Sequence, residues 1–394
     1  MAPQKIIIDT DPGIDDVLAI SLALSNAEAL EVLLLATTQG NIDVNACTKN
    51  LVLLMNVLQQ EKEARERSNL PKLTFQKPII AIGADKPIIK THGHGEFEED
   101  DELEGYHGVD GLNGFHSRNP GLVADDFLLD FTSEDRPEGN TKAYIPSRLP
   151  AHDEILRQLR DNEPKSIIIV ALGPCTNLAL ALAKDPETFN RVSKIIIMGG
   201  AVRHAGNMTP AAEFNIYGDP DAAERIFNLS SPSNDRKGYG RVPVGLVPLD
   251  QTNYHTFSLE TLKEFTDPLI ASGSPLARLL NDVFSRSFDK IASHSGKALA
   301  QCHDPLTIYA LLHPELMSWE SLDVRVETNG IWTRGQTLID TRNLPRWKPG
   351  EKGKVRDNGN WLHGDTGNQV DVLVGTGDEP SAFGPKLFKE IFRP

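Results

Sequence analysis

Along the chain, apolar residues gather in short β-branched runs: KIIID at 5–9, VLLLAT at 32–37, PIIAIG at 78–83, SIIIVA at 166–171, KIIIMG at 194–199 and PVGLVP at 243–248. None of these runs alternates apolar with polar positions. A strand that is apolar throughout is buried on both faces, as happens in a mostly parallel sheet covered by helices. Between most of the runs lie stretches with an apolar stripe at helical spacing, at 14–24 and 42–60. A third stretch, at 219–228, opens with Asp219 at a capping position and Pro220 in the first helical turn. Strand and helix alternating in this way predict an α/β fold: an open, doubly wound, mostly parallel sheet with helices on both faces.

The rhythm breaks at 61–76, 94–106, 118–147, 230–241 and 342–366, where charge, Pro and Gly accumulate. Strand and helix patterns resume on both sides of each break. These segments therefore read as surface insertions in one domain covering 1–394 rather than as linkers between domains. The longest apolar runs are strand-length, short of the ~20 residues a bilayer requires, so no membrane contact is expected. The start, MAPQKIII, lacks the extended apolar centre and cleavage site of a secretory signal. Cys47, Cys175 and Cys302 are too few and too scattered for a disulfide framework or a thiolate metal site, which fits a reducing, cytoplasmic setting. A net charge of −15 disfavours any grip on nucleic acid through phosphates. Part of that excess lies in EFEEDDELE at 96–104, read as a solvated loop.

Chemistry concentrates in KIIIDTDPGIDDVLAI, which begins at Lys5 and places Asp9, Asp11, Asp15 and Asp16 within eight residues. Two carboxylates about 6 Å apart repel by roughly 3 kcal/mol at an effective dielectric of about 20. The cluster follows the carboxyl end of a strand, where open α/β sheets bind their ligands. Asp11, next to Pro12, is placed to cap the following helix, and Asp15 and Asp16 fall in its first turn, at the positive end of its dipole. Capping and dipole account for one or two acids. A hard divalent cation accounts for four, because carboxylate oxygens are the ligands that Ca²⁺ and Mg²⁺ take. A strand ending in Asp-x-Asp is also how a haloacid-dehalogenase-type, Mg²⁺-dependent phosphatase begins, with Asp9 as its nucleophile. On this segment alone both readings stand.

Blocks elsewhere separate them. DTDPGIDD at 9–16, TTQGN at 37–41, HGVDGL at 107–112, LGPCTNLA at 172–179, MGGAVRHAGNMTPAAEFNIYGDPDAA at 198–223, HDP at 303–305 and GQTLID at 335–340 follow one another along the chain. In that order the sequence resembles the inosine–uridine-preferring nucleoside hydrolase family. The resemblance implies a Ca²⁺ held by the carboxylates of Asp11, Asp16 and Asp304 and by the main-chain carbonyl of Leu172. It places Asp15, Asn41, Asn207, Glu213 and Asn215 at the ribose, Met198 in the lining of the site, His107 near the base and His303 at leaving-group protonation. It further implies a homodimer or homotetramer acting on a small ribonucleoside, in nucleoside salvage or catabolism.

The reaction so implied is hydrolysis of an N-glycosidic bond to free nucleobase and ribose. Asp11 would activate a Ca²⁺-bound water, and His303, whose unperturbed pKa lies nearest neutrality, would assist departure of the base. Glu213 and Asn215 flank Phe214, so in an extended segment both would point to one side. Base contacts are expected from loops at 84–106 and 272–300. Taken singly, several of these residues have plainer uses: Asp304-Pro305 starts a helix, Met198 fills core, and Asn41 after Gly40 makes a turn. His92 and His94 are spaced for a metal but share a loop. The phosphatase reading leaves EFN and HDP without a role. A non-catalytic protein keeping the Ca²⁺ and ribose site is the other alternative, and the presence of both proton-transfer groups, Asp11 and His303, counts against it.

Overall fold

A computed structural model describes residues 2–68, 72–89, 107–133, 143–236, 238, 240–295, 298–348, 350–351, 353, 355–377 and 379–393. Each of the six apolar runs forms a strand: β1 (Gln4–Thr10), β2 (Leu30–Thr37), β3 (Ile79–Ala81), then, after a short β4 (Ile145–Pro146), β5 (Ile167–Ala171), β6 (Lys194–Met198) and β7 (Val244–Val247). With the strands Met317–Leu322 and Val370–Thr376 they make a nine-stranded sheet. Its order is Met317–Leu322, Val370–Thr376, β7, β6, β5, β1, β2, β3, β4. All pairs are parallel except the edge pair Met317–Leu322 with Val370–Thr376.

The continuous apolarity of β1 has the predicted cause. Ile6 and Ile8 pack into a core shared with α1 (Ile14–Ser25), α2 (Val44–Arg67) and the helices Pro275–Ser295, His303–Leu312 and Phe383–Ile391. Ile7 faces the opposite core, with the helices Ala151–Asp161, Thr176–Lys184 and Pro220–Asn228. All three isoleucines are fully buried, each worth roughly 1.5–3 kcal/mol of apolar burial. From β1 the chain runs outward through β2, β3 and β4, then returns to β5 on the other side of β1 and runs outward again. The reversal leaves a crevice at the carboxyl ends of β1 and β5, the place where such sheets take ligands.

Several expected insertions have regular structure. The charged stretch from Glu61 continues α2 to Arg67, because Glu61 and Arg65 pair one helical turn apart at 2.9 Å and are both buried. Glu61 also accepts hydrogen bonds from the Ser274 hydroxyl (2.6 Å) and the Leu276 N–H (3.2 Å), which ties α2 to the start of helix Pro275–Ser295. The expected loop at 272–300 is mostly that helix, followed by the strand Leu299–Gln301. Segment 118–147 contributes the helical turn Leu129–Thr132 and the edge strand β4, and segment 230–241 the turn Ser233–Arg236. Segment 342–366 is irregular, pinned by a Trp347–His363 bridge and by the Arg325 guanidinium 3.8 Å from the Trp361 ring centre. The two strands Met317–Leu322 and Val370–Thr376 had no sequence expectation. The acidic stretch 94–106 and the pair His92 and His94 lie outside the described residues.

Among the described residues no helix is long and apolar enough to cross a membrane. The three cysteines are buried and unpaired. Asp219 caps the helix Pro220–Asn228 as expected, accepting the Ala222 N–H at 3.0 Å, and it also accepts the Thr176 hydroxyl (2.8 Å) and the Ile88 N–H (2.9 Å). Replacing Asp219 by Ala removes the cap and strands two further donors, so chemical denaturation should show a loss of about 2–4 kcal/mol. A loss below about 1 kcal/mol would mean that water replaces these bonds freely.

Candidate active site

β1 ends in Asp9 and Thr10, and a tight turn leads into α1. The cap of α1 is Gly13 rather than Asp11. Asp16 reaches back to accept the Gly13 N–H at 2.9 Å through Oδ2, while its Oδ1 accepts the Thr10 hydroxyl. Asp11 is thereby released from capping, and its Oδ2 accepts the backbone N–H of Asn41 at 2.8 Å. The Asn41 amide donates to the Asp11 carbonyl (3.0 Å) and to Asp16 Oδ2 (3.2 Å), binding the end of β2 to the aspartate turn. The Asp11 carboxylate sits between Gly40 and Gly173, where a Cβ on either would collide with it.

Asp304 comes from the first turn of helix His303–Leu312. Carboxylate oxygens of Asp15, Asp16 and Asp304 all lie within 4.8 Å of one another, and all three residues are buried. The closest trio thus contains Asp15 where the resemblance placed Asp11. Asp15 is 8 % exposed, against 0 % for Asp16, 1 % for Asp11 and 4 % for Asp304, which puts Asp15 on the open side of the cluster.

Burial, then Asp15, Asp16 and Asp11, drive the Asp304 carboxyl well above the usual range. Burial and then Asp16 do the same to Asp11, burial and then Asp15 raise Asp16, and burial lifts Asp15 to about 6. Apart from His107 acting on Asp16, the charges acting on these groups are each other's; no Lys or Arg is among them. An all-oxygen, multiply anionic, buried donor set fits a hard divalent cation.

His107 borders this cluster, and His303 precedes Asp304 at the start of its helix. His107 Nδ1 accepts the Ile14 N–H at 3.0 Å, which leaves the ring proton on Nε2. His303 Nδ1 lies 2.8 Å from the Thr252 hydroxyl. Burial first, and the charge of His107 second, push the His303 pKa down to about 4. His303 thus departs from the unperturbed value that singles it out in the sequence, and its ring is neutral at pH 7.

Glu213 and Asn215 are not in an extended segment. Glu213 caps the short helix Phe214–Gly218, its Oε1 accepting the Asn215 N–H (2.9 Å) and its Oε2 the Ile216 N–H (3.0 Å) and the Gly200 N–H (2.9 Å). The Asn215 amide nitrogen donates to the Leu172 carbonyl at 2.7 Å, and to the Met198 carbonyl (3.2 Å) and sulfur (3.4 Å). Leu172 O is thus already oriented, with a second lone pair remaining. Asn207 is exposed on the 201–213 loop, its Oδ1 accepting the Phe214 N–H at 2.9 Å.

Comparison with known proteins decides the family. The profile described as "Inosine-uridine preferring nucleoside hydrolase" matches residues 6–373. The chain belongs to this nucleoside hydrolase family. A pyrimidine-specific ribonucleoside hydrolase, RihA, of Salmonella arizonae is 33 % identical over 347 residues, covering 87 % of this chain and 91 % of that one. A probable uridine nucleosidase 1 of Oryza sativa subsp. japonica is 32 % identical over 344 residues, covering 87 % of each chain. Among solved structures, a plant nucleoside hydrolase, PpNRh1, superposes with a TM-score of 0.70 at 29 % identity over all of both chains.

As a family member this hydrolase acts on ribonucleosides, which leaves the phosphatase reading without support. Asp9 fits no nucleophile either: it is fully buried, and its Oδ1 accepts the Asn177 amide at 2.7 Å. Asn177 and Thr252 are site-supporting residues that sequence reasoning did not single out. Asn177 also donates to the Thr37 carbonyl (2.9 Å), bracing the ends of β1 and β2 together. The available signals were a polar side chain at the start of an apolar helix for Asn177, and for Thr252 a position just past the carboxyl end of β7.

The raised carboxyls fix the sign of a pH effect. Asp9, pushed up to about 7, and Asp15, at about 6, cost the fold stability when they ionise, so that contribution is retained at low pH and lost as pH rises through 6 to 7. EDTA-treated hydrolase should therefore melt several degrees higher near pH 5 than near pH 8, and an added divalent cation should stabilise it most at the higher pH. Melting curves independent of pH and cation would contradict a buried anionic cluster.

Proposed function

We propose that this hydrolase cleaves the N-glycosidic bond of ribonucleosides to free base and ribose with a Ca²⁺ bound by Asp11, Asp16, Asp304 and the Leu172 carbonyl. The reading rests above all on the buried cluster in which Asp15, Asp16 and Asp304 oxygens come within 4.8 Å. When bound, the ion supplies a fixed positive centre at which sugar hydroxyls and a water can be held in line for displacement.

Asp15, the most exposed carboxylate of the cluster, receives a ribose hydroxyl. The Asn215 amide, whose nitrogen is engaged with Leu172 and Met198, offers its oxygen to another. Asp11 takes the proton of the attacking water, its carboxylate held in place between Gly40 and Gly173 with Oδ2 accepting the Asn41 N–H. As the glycosidic bond stretches, positive charge grows on the sugar ring above a floor of carboxylates, which stabilises it. Base departure falls to His303. Neutral at rest and with Nδ1 2.8 Å from the Thr252 hydroxyl, it acts in the tautomer that carries the proton on Nε2 and donates that N–H to the leaving group. His107, also bearing its proton on Nε2, lies beside it at the base end. Subunit number, a dimer or tetramer, belongs to the same proposal and rests on the resemblance, while a cytoplasmic setting rests on the three scattered cysteines.

A panel of nucleosides incubated with and without EDTA, scored for free base and reducing sugar, tests the activity and its cation dependence together. Release of neither product in the presence of Ca²⁺ would favour the non-catalytic binder. Asp11→Asn should lower turnover by at least about 10³-fold while ribose binding stays measurable; a variant as active as the parent would remove Asp11 as the base. His303→Ala should cost about 10²-fold on inosine and far less on nitrophenyl riboside, whose leaving group needs no assistance. Equal losses on both substrates would count against a leaving-group role.

A further inference from the structure

The GQTLID block has no part in the mechanism, although it lies beside the proposed ribose contacts. It closes a hairpin whose strands, Arg325–Val326 and Thr337–Leu338, pair antiparallel away from the main sheet. The Thr337 hydroxyl, on a residue 3 % exposed, accepts the Ala201 N–H at 3.0 Å and donates to the Ala201 carbonyl at 2.8 Å. Both backbone groups of one residue at the start of the 201–213 loop are thus held by one side chain. At the other end of the same segment, Arg334 Nη1 donates to the Tyr217 carbonyl at 3.1 Å, and its guanidinium lies 5.6 Å from the Tyr217 ring centre. Between the two anchors, Gly335 has φ +81°, and a Cβ there would stand 2.8 Å from the Tyr217 Cα and 3.2 Å from the Ala212 Cβ. Only glycine lets the hairpin approach this closely in that conformation.

Inside the segment, the Glu213 carboxylate ties Gly200 to Ile216. Arg203, His204, Ala205 and Asn207 in the intervening loop are exposed. The loop is therefore fixed at its base by the hairpin, while its exposed part is held separately, with Asp250 accepting the Val202 and Arg203 N–H groups and Asn207 accepting the Phe214 N–H. Asn207, Glu213 and Asn215 all lie between the points that Thr337 and Arg334 hold.

We propose that this hairpin is a two-point clamp, and that Thr337 and Arg334 are positioning residues that set the geometry of ribose recognition. The inference rests on the reading of Asn207, Glu213 and Asn215 as ribose contacts. Neither clamp residue need touch substrate. Each acts through the loop, where a misplacement of about 1 Å can cost on the order of 10²-fold in rate.

The full-length hydrolase carries the test, with kcat/KM measured on a ribonucleoside and on its 2′-deoxy counterpart. Thr337→Val keeps the side-chain shape and removes the hydroxyl. It should lower kcat/KM on the ribonucleoside about tenfold or more, largely through KM, and change the deoxynucleoside little, so that the preference for ribose shrinks by the same factor. Thr337→Ser, which restores the hydroxyl, should return the preference to within about twofold of the parent. Arg334→Met, at the second anchor, should shift it in the same direction as Thr337→Val and decides the question if Thr337→Val does not fold. The clamp is overturned if the ribose preference stays within about twofold in Thr337→Val and Arg334→Met, or if Thr337→Ser is as impaired as Thr337→Val. Glu213→Gln separates the two layers. An unchanged ribose preference in that variant removes the sugar reading itself, whereas a collapsed preference there beside an intact one in Thr337→Val removes the clamp alone.

Discussion

Mutual repulsion among buried carboxylates is the constraint around which this end of the fold is organised. Burial raises the proton affinity of Asp11, Asp15, Asp16 and Asp304, neighbouring carboxylates add to it at Asp11, Asp16 and Asp304, and no Lys or Arg is among the charges acting on them. Groups so placed would be protonated or spread apart unless their surroundings held them. Backbone N–H groups of Gly13 and Asn41, the Thr10 hydroxyl and the Asn41 amide do the holding. The same donors leave some oxygen lone pairs unused, and those converge. A cluster that is costly alone acquires the donor set that a cation could fill because its geometry is imposed from outside.

The imposition comes from the sheet. β1 and β5 are neighbours although most of the first half of the chain separates them, and their ends bring the aspartate turn next to the Leu172 carbonyl. Gly40 and Gly173 let the two loops close on Asp11 from either side. The site's shape is thus a property of strand order and of two missing side chains as much as of its acids.

Much of this was legible in the sequence, and for identifiable reasons. Strands buried on both faces carry no polar position, so β1, β2, β5 and β6 stood out from local pattern alone. The edge strand Met317–Leu322, MSWESL, mixes polar and apolar residues because one side of it meets solvent, and so it gave no such signal. Glu61 and Arg65 looked like surface charge because their burial depends on a helix more than two hundred positions later. At the site, residue types revealed the acids but not their division of labour. That Gly13, with Asp16 reaching back to its N–H, caps α1 in place of Asp11 is a matter of local turn geometry, whereas the Gly200 contact of the Glu213 cap and the lowered pKa of His303 follow from burial and from partners distant in the chain.

Asp11 and Asp304 stand nearly three hundred positions apart in the chain, and the cluster brings them together. A chain emerging from synthesis carries its amino-terminal acids long before the helix that completes them exists, and the closure of so large a loop is entropically late. An ion seated there, as proposed, would work as a final staple. It could bind only once the carboxyl-terminal third has docked, and a fragment ending before Asp304 would lack one wall of the cage however well its own strands paired.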